Sequence, residues 1–130
     1  MGKLSSLKIC HVNIRSLLCE SCLIELEILC AAQQVDVLCI SETWLSPFRA
    51  KAGTSLINIP RFQPAFRRGR LHGRGGGVAV YVRNGLNAVP AEVPGSLELV
   101  SLVLHLPGNK KSVCGGSLSS TKLRLVFFHL

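Results

Sequence analysis

Acidic residues are missing from the middle of this chain of 130 residues: none lies between Glu42 and Glu92. The same interval holds Arg49, Lys51, Arg61, Arg67, Arg68, Arg70, Arg74 and Arg83, while the rest of the chain balances seven cations against seven anions. The whole formal charge of +8 therefore belongs to one segment. A solvated basic loop would account for it, and so would a surface that meets phosphates. The dominance of arginine favours the second, because guanidinium pairs bidentately with phosphate. Long apolar runs are also lacking. Each is broken by Glu, Lys, His or Gly before the ~18 residues a membrane helix needs, so no membrane partner is expected. The opening text MGKLSSLKICHVNIRSL has no apolar core and no small-residue cleavage site, so the expected location is the nucleus or cytoplasm and not the exterior. Cysteine is not scarce, but its pattern is uninformative. Cysteines 10, 19, 22, 30, 39 and 114 read as free thiols in a reducing compartment. Cys19-x-x-Cys22 has no second Cys/His pair at zinc spacing and reads as part of a helix.

Apolar residues make up 48% of the chain, enough for the core of one domain. LKICHVNI (7–14) is β-branched and alternating, and reads as a strand. RSLLCESCLIELEILCAAQQ (15–34) has apolar residues at helical spacing, with Ser16 placed to cap it. VDVLCIS (35–41) is a near-continuous apolar run, as expected of a strand covered on both faces. Strand, helix and strand at these lengths predict a βαβ unit with parallel strands. Short strands are expected at 56–59 and 62–66. GGGVAVYVRNGL predicts a strand over 77–83 that leaves through an Asn-Gly turn. LELVSLVLHL predicts another over 97–106, and PGNKK (107–111) a turn, suggesting a hairpin. After Val113 the text becomes polar and turn-like, then ends in the apolar RLVFFHL, expected to be exposed. Strands outnumber helices, so the expected class is an α/β sandwich.

In a βαβ unit both strand C-termini reach the same rim of the sheet, where α/β proteins usually place their chemistry. Asn13 and Glu42 stand at those two ends. Neighbouring strands are ~4.8 Å apart, so the two side chains can converge. A carboxylate beside an amide suits a hard cation such as Mg²⁺. Asp36, six residues back along the strand, lies roughly 20 Å away and reads as a strand-start residue. Two plainer readings stay open: Glu42 as a strand-end carboxylate, and Asn13 as a cap on the turn into the helix. GRGGG lacks the Lys-Ser/Thr of a phosphate-binding loop and precedes a strand, so it reads as a turn.

HVNIRSL, a helix, VDVLCISETWLS, GRGGGVAVYVRNGL and LELVSLVLHLPG, in that order, resemble the endonuclease domain of non-LTR (LINE-type) retrotransposons. That domain belongs to the endonuclease/exonuclease/phosphatase superfamily. The resemblance spans 7–113, with 1–6 as an N-terminal tail and 114–130 as a divergent C-terminal one. It implies the N-terminal part of a four-layer α/β sandwich, truncated, and Mg²⁺-dependent nicking of DNA. It assigns Glu42 to the metal-binding glutamate and Asn13 to the active-site asparagine of the first strand. It places Arg68, Arg70 and Arg74 before the glycine turn as candidate DNA contacts. The family pattern continues with Tyr-Arg-Pro-Pro, Asp-x-Asn and Ser-Asp-His, none of which this sequence contains. Its only aspartate is Asp36 and its only tyrosine is Tyr81. The departure near Val113 is of the kind a frameshift or splice junction leaves. The expectations are thus an inactive endonuclease remnant, a basic DNA-binding remnant over 61–83, or an unstable product with exposed strand edges.

Overall fold

In the computed structural model of the chain, residues 7–14, 20–43, 57–68, 76–93, 98–106 and 121–128 are described. Strand β1 (Ile9–Asn13), helix α1 (Glu20–Gln33) and strand β2 (Val37–Ser41) come first. β1 and β2 pair in parallel, with Ile9 level with Val37 and Asn13 level with Ser41, so the expected βαβ unit is present. β3 (Phe66–Arg68) and β4 (Val78–Val82) follow. Together they complete a first sheet of order β1-β2-β4-β3, in which β4 runs antiparallel to both neighbours. β5 (Asn87–Pro90), β6 (Leu99–Leu106) and β7 (Thr121–Phe128) form a second, antiparallel sheet in that order.

Burial explains why β2 reads as an unbroken apolar run. All five of its residues are buried. Leu38 and Ile40 join Leu26 and Cys30 of α1, Tyr81 and Ile59 in a core between the helix and the first sheet. Val37 and Cys39 face the other way and join Val78, Val80, Leu102 and Leu104 in a core between the two sheets. Each such aliphatic side chain contributes roughly 1.5–3 kcal/mol when fully buried. The layers are therefore helix, sheet and sheet. Among the described residues no helix is long and apolar enough to cross a membrane.

α1 closes with a Schellman-type turn. Gln34 adopts φ 54°, and the Val35 N–H donates to the Cys30 carbonyl at 3.1 Å. The Lys8 ammonium donates to the Gln33 carbonyl at 2.8 Å and satisfies another carbonyl of the last turn. The helix is apolar on more than one side. Leu26 and Cys30 are buried, whereas Ile24, Ile28 and Leu29 are exposed. The cap expected at Ser16 and the turn at 107–111 lie outside the described residues.

Three expectations change. Residues 56–59 do not form a strand as far as they are described: Ile57 sits in a single 3-10 turn, and Ile57 and Ile59 serve the core as a buried loop. The strand expected over 62–66 reduces to one bridge, Phe62 to Arg83, and the pairing begins instead at Phe66. The Asn84-Gly85 turn is present as expected, with Gly85 at φ 101°. It hands the chain from β4 to β5, an unexpected strand in the other sheet. Finally, the tail expected to be exposed is β7. Leu125 stands level with Leu102, and Leu125 and Phe127 pack on the inter-sheet core. Terminal apolar residues found a partner in β6, a long-range pairing that local text does not encode.

Candidate functional site

Register alone assembles the rim. Asn13 is level with Ser41, Ser41 with Val78, and Val78 with Arg68, so one row crosses all four strands of the first sheet. At strand spacing, Asn13 and Arg68 are then about 14 Å apart along the row. Glu42 follows Ser41 directly. It takes φ 62°, a left-handed conformation uncommon for a residue with a side chain. The chain turns sharply there, and the Thr43 N–H donates to the Gly77 carbonyl at 3.3 Å.

The glycine turn faces this bend. Gly76 and Gly77 have φ 70° and 90°, where any side chain would be strained. Their consecutive N–H groups donate to two carboxylates: Gly76 to Glu42 Oε1 at 3.3 Å, and Gly77 to Glu98 Oε1. The turn expected from the sequence thus also positions the candidate carboxylate. Glu98 is a residue that sequence reading missed. It stood inside an expected strand, and nothing local distinguished it from a solvated charge. A distance of 3.3 Å makes the Glu42 bond a long one.

Asn13 shares its strand face with His11. His11 Nε2 lies 3.0 Å from Ser41 Oγ, and its ring meets Phe127 with centroids 5.3 Å apart. The histidine is thereby a satisfied structural residue. Arg68 reaches the same rim, half-buried beside a cleft of about 170 Å³ lined by Phe66, Pro90 and Ser101. Arg70 and Arg74 lie outside the described residues, as do Trp44 and His72.

Asp36 is at the opposite rim, just before β2. Its Oδ2 accepts from the Lys8 N–H at 2.9 Å and its Oδ1 from Arg83 Nε at 2.8 Å. Arg83, counted in the basic segment, is therefore held by a carboxylate far from Glu42, because β4 carries it to the other end of the sheet. Arg61 also lies at that end, where it and Arg83 line a cavity of about 810 Å³ with Lys8, Asp36 and Phe62. The larger of these two cavities is thus at the rim opposite Glu42. Tyr81 is fully buried and its hydroxyl donates to the Ile57 carbonyl at 2.6 Å. Burial pushes its phenol pKa well up, against a smaller opposing effect of Arg67.

A hard cation takes oxygen donors, and Mg²⁺ commonly uses one or two carboxylates plus waters. The carboxylate of Glu42 and the amide of Asn13 fit by donor type, as a partial set. Among the described residues no three His, Cys, Asp or Glu side chains gather to hold a metal.

The sequence pattern of the endonuclease/exonuclease/phosphatase family matches residues 10–117, most of the chain, and the chain belongs to that family. Among solved structures it is similar to the AP endonuclease LMAP from Leishmania major, at 20% identity and a TM-score of 0.66. The match covers 95% of this chain and 40% of that enzyme, so the chain spans two fifths of its structural relative and shares the fold of that part. No curated protein matches.

Proposed function

We propose that the chain is the N-terminal part of a Mg²⁺-dependent DNA endonuclease domain of the non-LTR retrotransposon kind, without nuclease activity of its own. The observation that carries this reading is the rim: Asn13 and Glu42 stand at adjoining strand ends, with Glu42 turned against the Gly76 amide. Glu42 and Asn13 would hold the ion. When bound, Mg²⁺ supplies charge stabilisation on the phosphate oxygens. Arg68, on the same row, would orient a phosphate, and Arg70 and Arg74 are proposed to extend that contact.

The proposed lack of activity rests on the proton side of the chemistry. Phosphodiester hydrolysis also needs a base for the attacking water. Among the described residues, Asp36 is ion-paired at the far rim, Tyr81 is buried and bonded to a carbonyl, His11 is held between Ser41 and Phe127, and Glu98 accepts from the Gly77 amide.

Incubating the full chain with supercoiled plasmid, in Mg²⁺ or in chelator and beside a Glu42→Ala variant, tests this. We expect no nicking by either protein. Nicking that needs Mg²⁺ and disappears in the variant would reverse the assignment of inactivity and keep Glu42 in its role. Nicking that persists in the variant would remove Glu42 from the site. A second reading is DNA binding without chemistry, favoured by Arg67 and Arg68, which have no acceptor among the described residues. Its affinity should fall steeply with salt and vary little with sequence.

A further inference from the structure

One turn beside the rim of Asp36 carries an arginine where the backbone favours glycine. Ile59, Pro60, Arg61 and Phe62 close it, with the Phe62 N–H donating to the Ile59 carbonyl at 3.1 Å. Arg61, the third residue, takes φ 77°, as a type II turn with proline in second place requires. Glycine holds that conformation freely, whereas a residue with a side chain is strained in it. Bonds on either side fix the backbone there. The Asn84 N–H donates to the Arg61 carbonyl at 2.9 Å, and the Gln63 N–H to the Val82 carbonyl at 2.8 Å. Strain enforced by its surroundings is a feature of ligand clamps, and here the strained residue lines a cavity of about 810 Å³.

The cavity lies between the second half of α1 and this turn. Ile28, Val35 and Phe62 give it apolar surface, and Ile28 is 62% exposed. The Phe62 ring is braced edge-on by Tyr81, with centroids 6.4 Å apart at 84°. The charged residues around it are Lys8, Arg61 and Arg83 against Glu27 and Asp36, an excess of one cation. Both Asp36 oxygens are taken, by the Lys8 N–H and by Arg83 Nε, and the Lys8 ammonium donates to the Gln33 carbonyl. Of the three cations, Arg61 alone has no side-chain acceptor among the described residues. A guanidinium fork beside an apolar wall matches an oxyanion carried on an apolar body. We propose that this cavity binds a small aromatic anion, its ring against Phe62 and Ile28 and its carboxylate or phosphate on Arg61. The volume is that of an ordinary small-molecule pocket. The site lies at the rim opposite Glu42 and does not depend on the nuclease reading.

Isothermal titration calorimetry of the full chain with naphthoate and naphthyl phosphate, beside neutral naphthol and cationic naphthylmethylammonium, tests this. Both anions should bind at least about tenfold tighter than the neutral and cationic probes. Arg61→Gly should weaken both anions by about tenfold or more. The same variant should melt roughly 2–6 °C higher, because glycine relieves the turn. Tighter binding of the phosphate would make the ligand a phosphate ester, and tighter binding of the carboxylate a carboxylic acid; either order supports the site. No binding of either anion, or equal affinity for all four probes, would overturn the proposal. So would unchanged affinity in Arg61→Gly, or a variant that loses stability together with affinity.

Discussion

Asp36 and Glu42 bracket one strand, and the two ends of β2 use their carboxylates differently. Asp36 accepts bonds of 2.8 and 2.9 Å, from a guanidinium and a backbone amide, and joins β2, β4 and the approach to β1. Glu42 receives a 3.3 Å bond from Gly76 and sits at a left-handed residue where the chain leaves the sheet. The strand itself is equally buried at both ends. The difference comes from topology. The parallel β1-β2 pair sends both C-termini to one rim, whereas β4, running the opposite way, delivers Arg83 to the other. At one rim Asp36 is paired with Arg83, and at the other Glu42 and Asn13 stand at adjoining strand ends with Glu98 beside the glycine turn.

The largest effect should come from the rim of Asp36. Asp36→Ala removes both bonds and leaves Arg83 without its partner. It should lower stability by about 2 kcal/mol, kept from the upper range because the Arg83 side chain is 39% exposed. Glu42→Ala should cost about 1 kcal/mol or less. Urea unfolding of the two variants measures this, and equal losses would erase the contrast between the rims.

A smaller effect separates the arginines. Arg68→Ala should weaken DNA binding and reduce the salt slope by about 1, whereas Arg83→Met should leave both unchanged. Fluorescence anisotropy with a labelled duplex over a salt series reads both. Loss of affinity in Arg83→Met alone would shift the DNA face to the opposite rim.

A pH-dependent effect, absent at neutral pH, belongs to β2 and its helix. Burial, with a lesser contribution from Cys10, pushes the Cys30 and Cys39 thiols from 9.0 up to about 11. Below pH 9 the thiols are protonated in both folded and unfolded chains. Above it the unfolded chain loses these protons first, so stability is lost between pH 9 and about 11. Urea midpoints across that range should fall, and Cys39→Ala should flatten part of the fall.

How legible the fold was depended on how local each signal is. β1, α1, β2, β4 and β6 followed from runs and periodicities within a few residues, because burial on one or two faces shapes the text of the element itself. β5 was missed, since Asn87 and Pro90 are poor strand formers and persist there on an edge. β7 was read as a loose tail because its partner had to be known first. Asn13 and Glu42 were placed at one rim from strand ends, while Glu98 was not, since only the approach of β6 to Gly77 brings it there.

By itself, then, the sequence determined the βαβ frame, the doubly buried β2, and the placing of Asn13 and Glu42 at one rim. Hydrophobic pattern and the parallel crossover are enough for those. The tertiary structure alone decided that Asp36 pairs with Arg83 and which rims Arg68 and Arg83 reach. Arg83 and Asp36 are 47 residues apart in the chain, and only the antiparallel run of β4 brings them together.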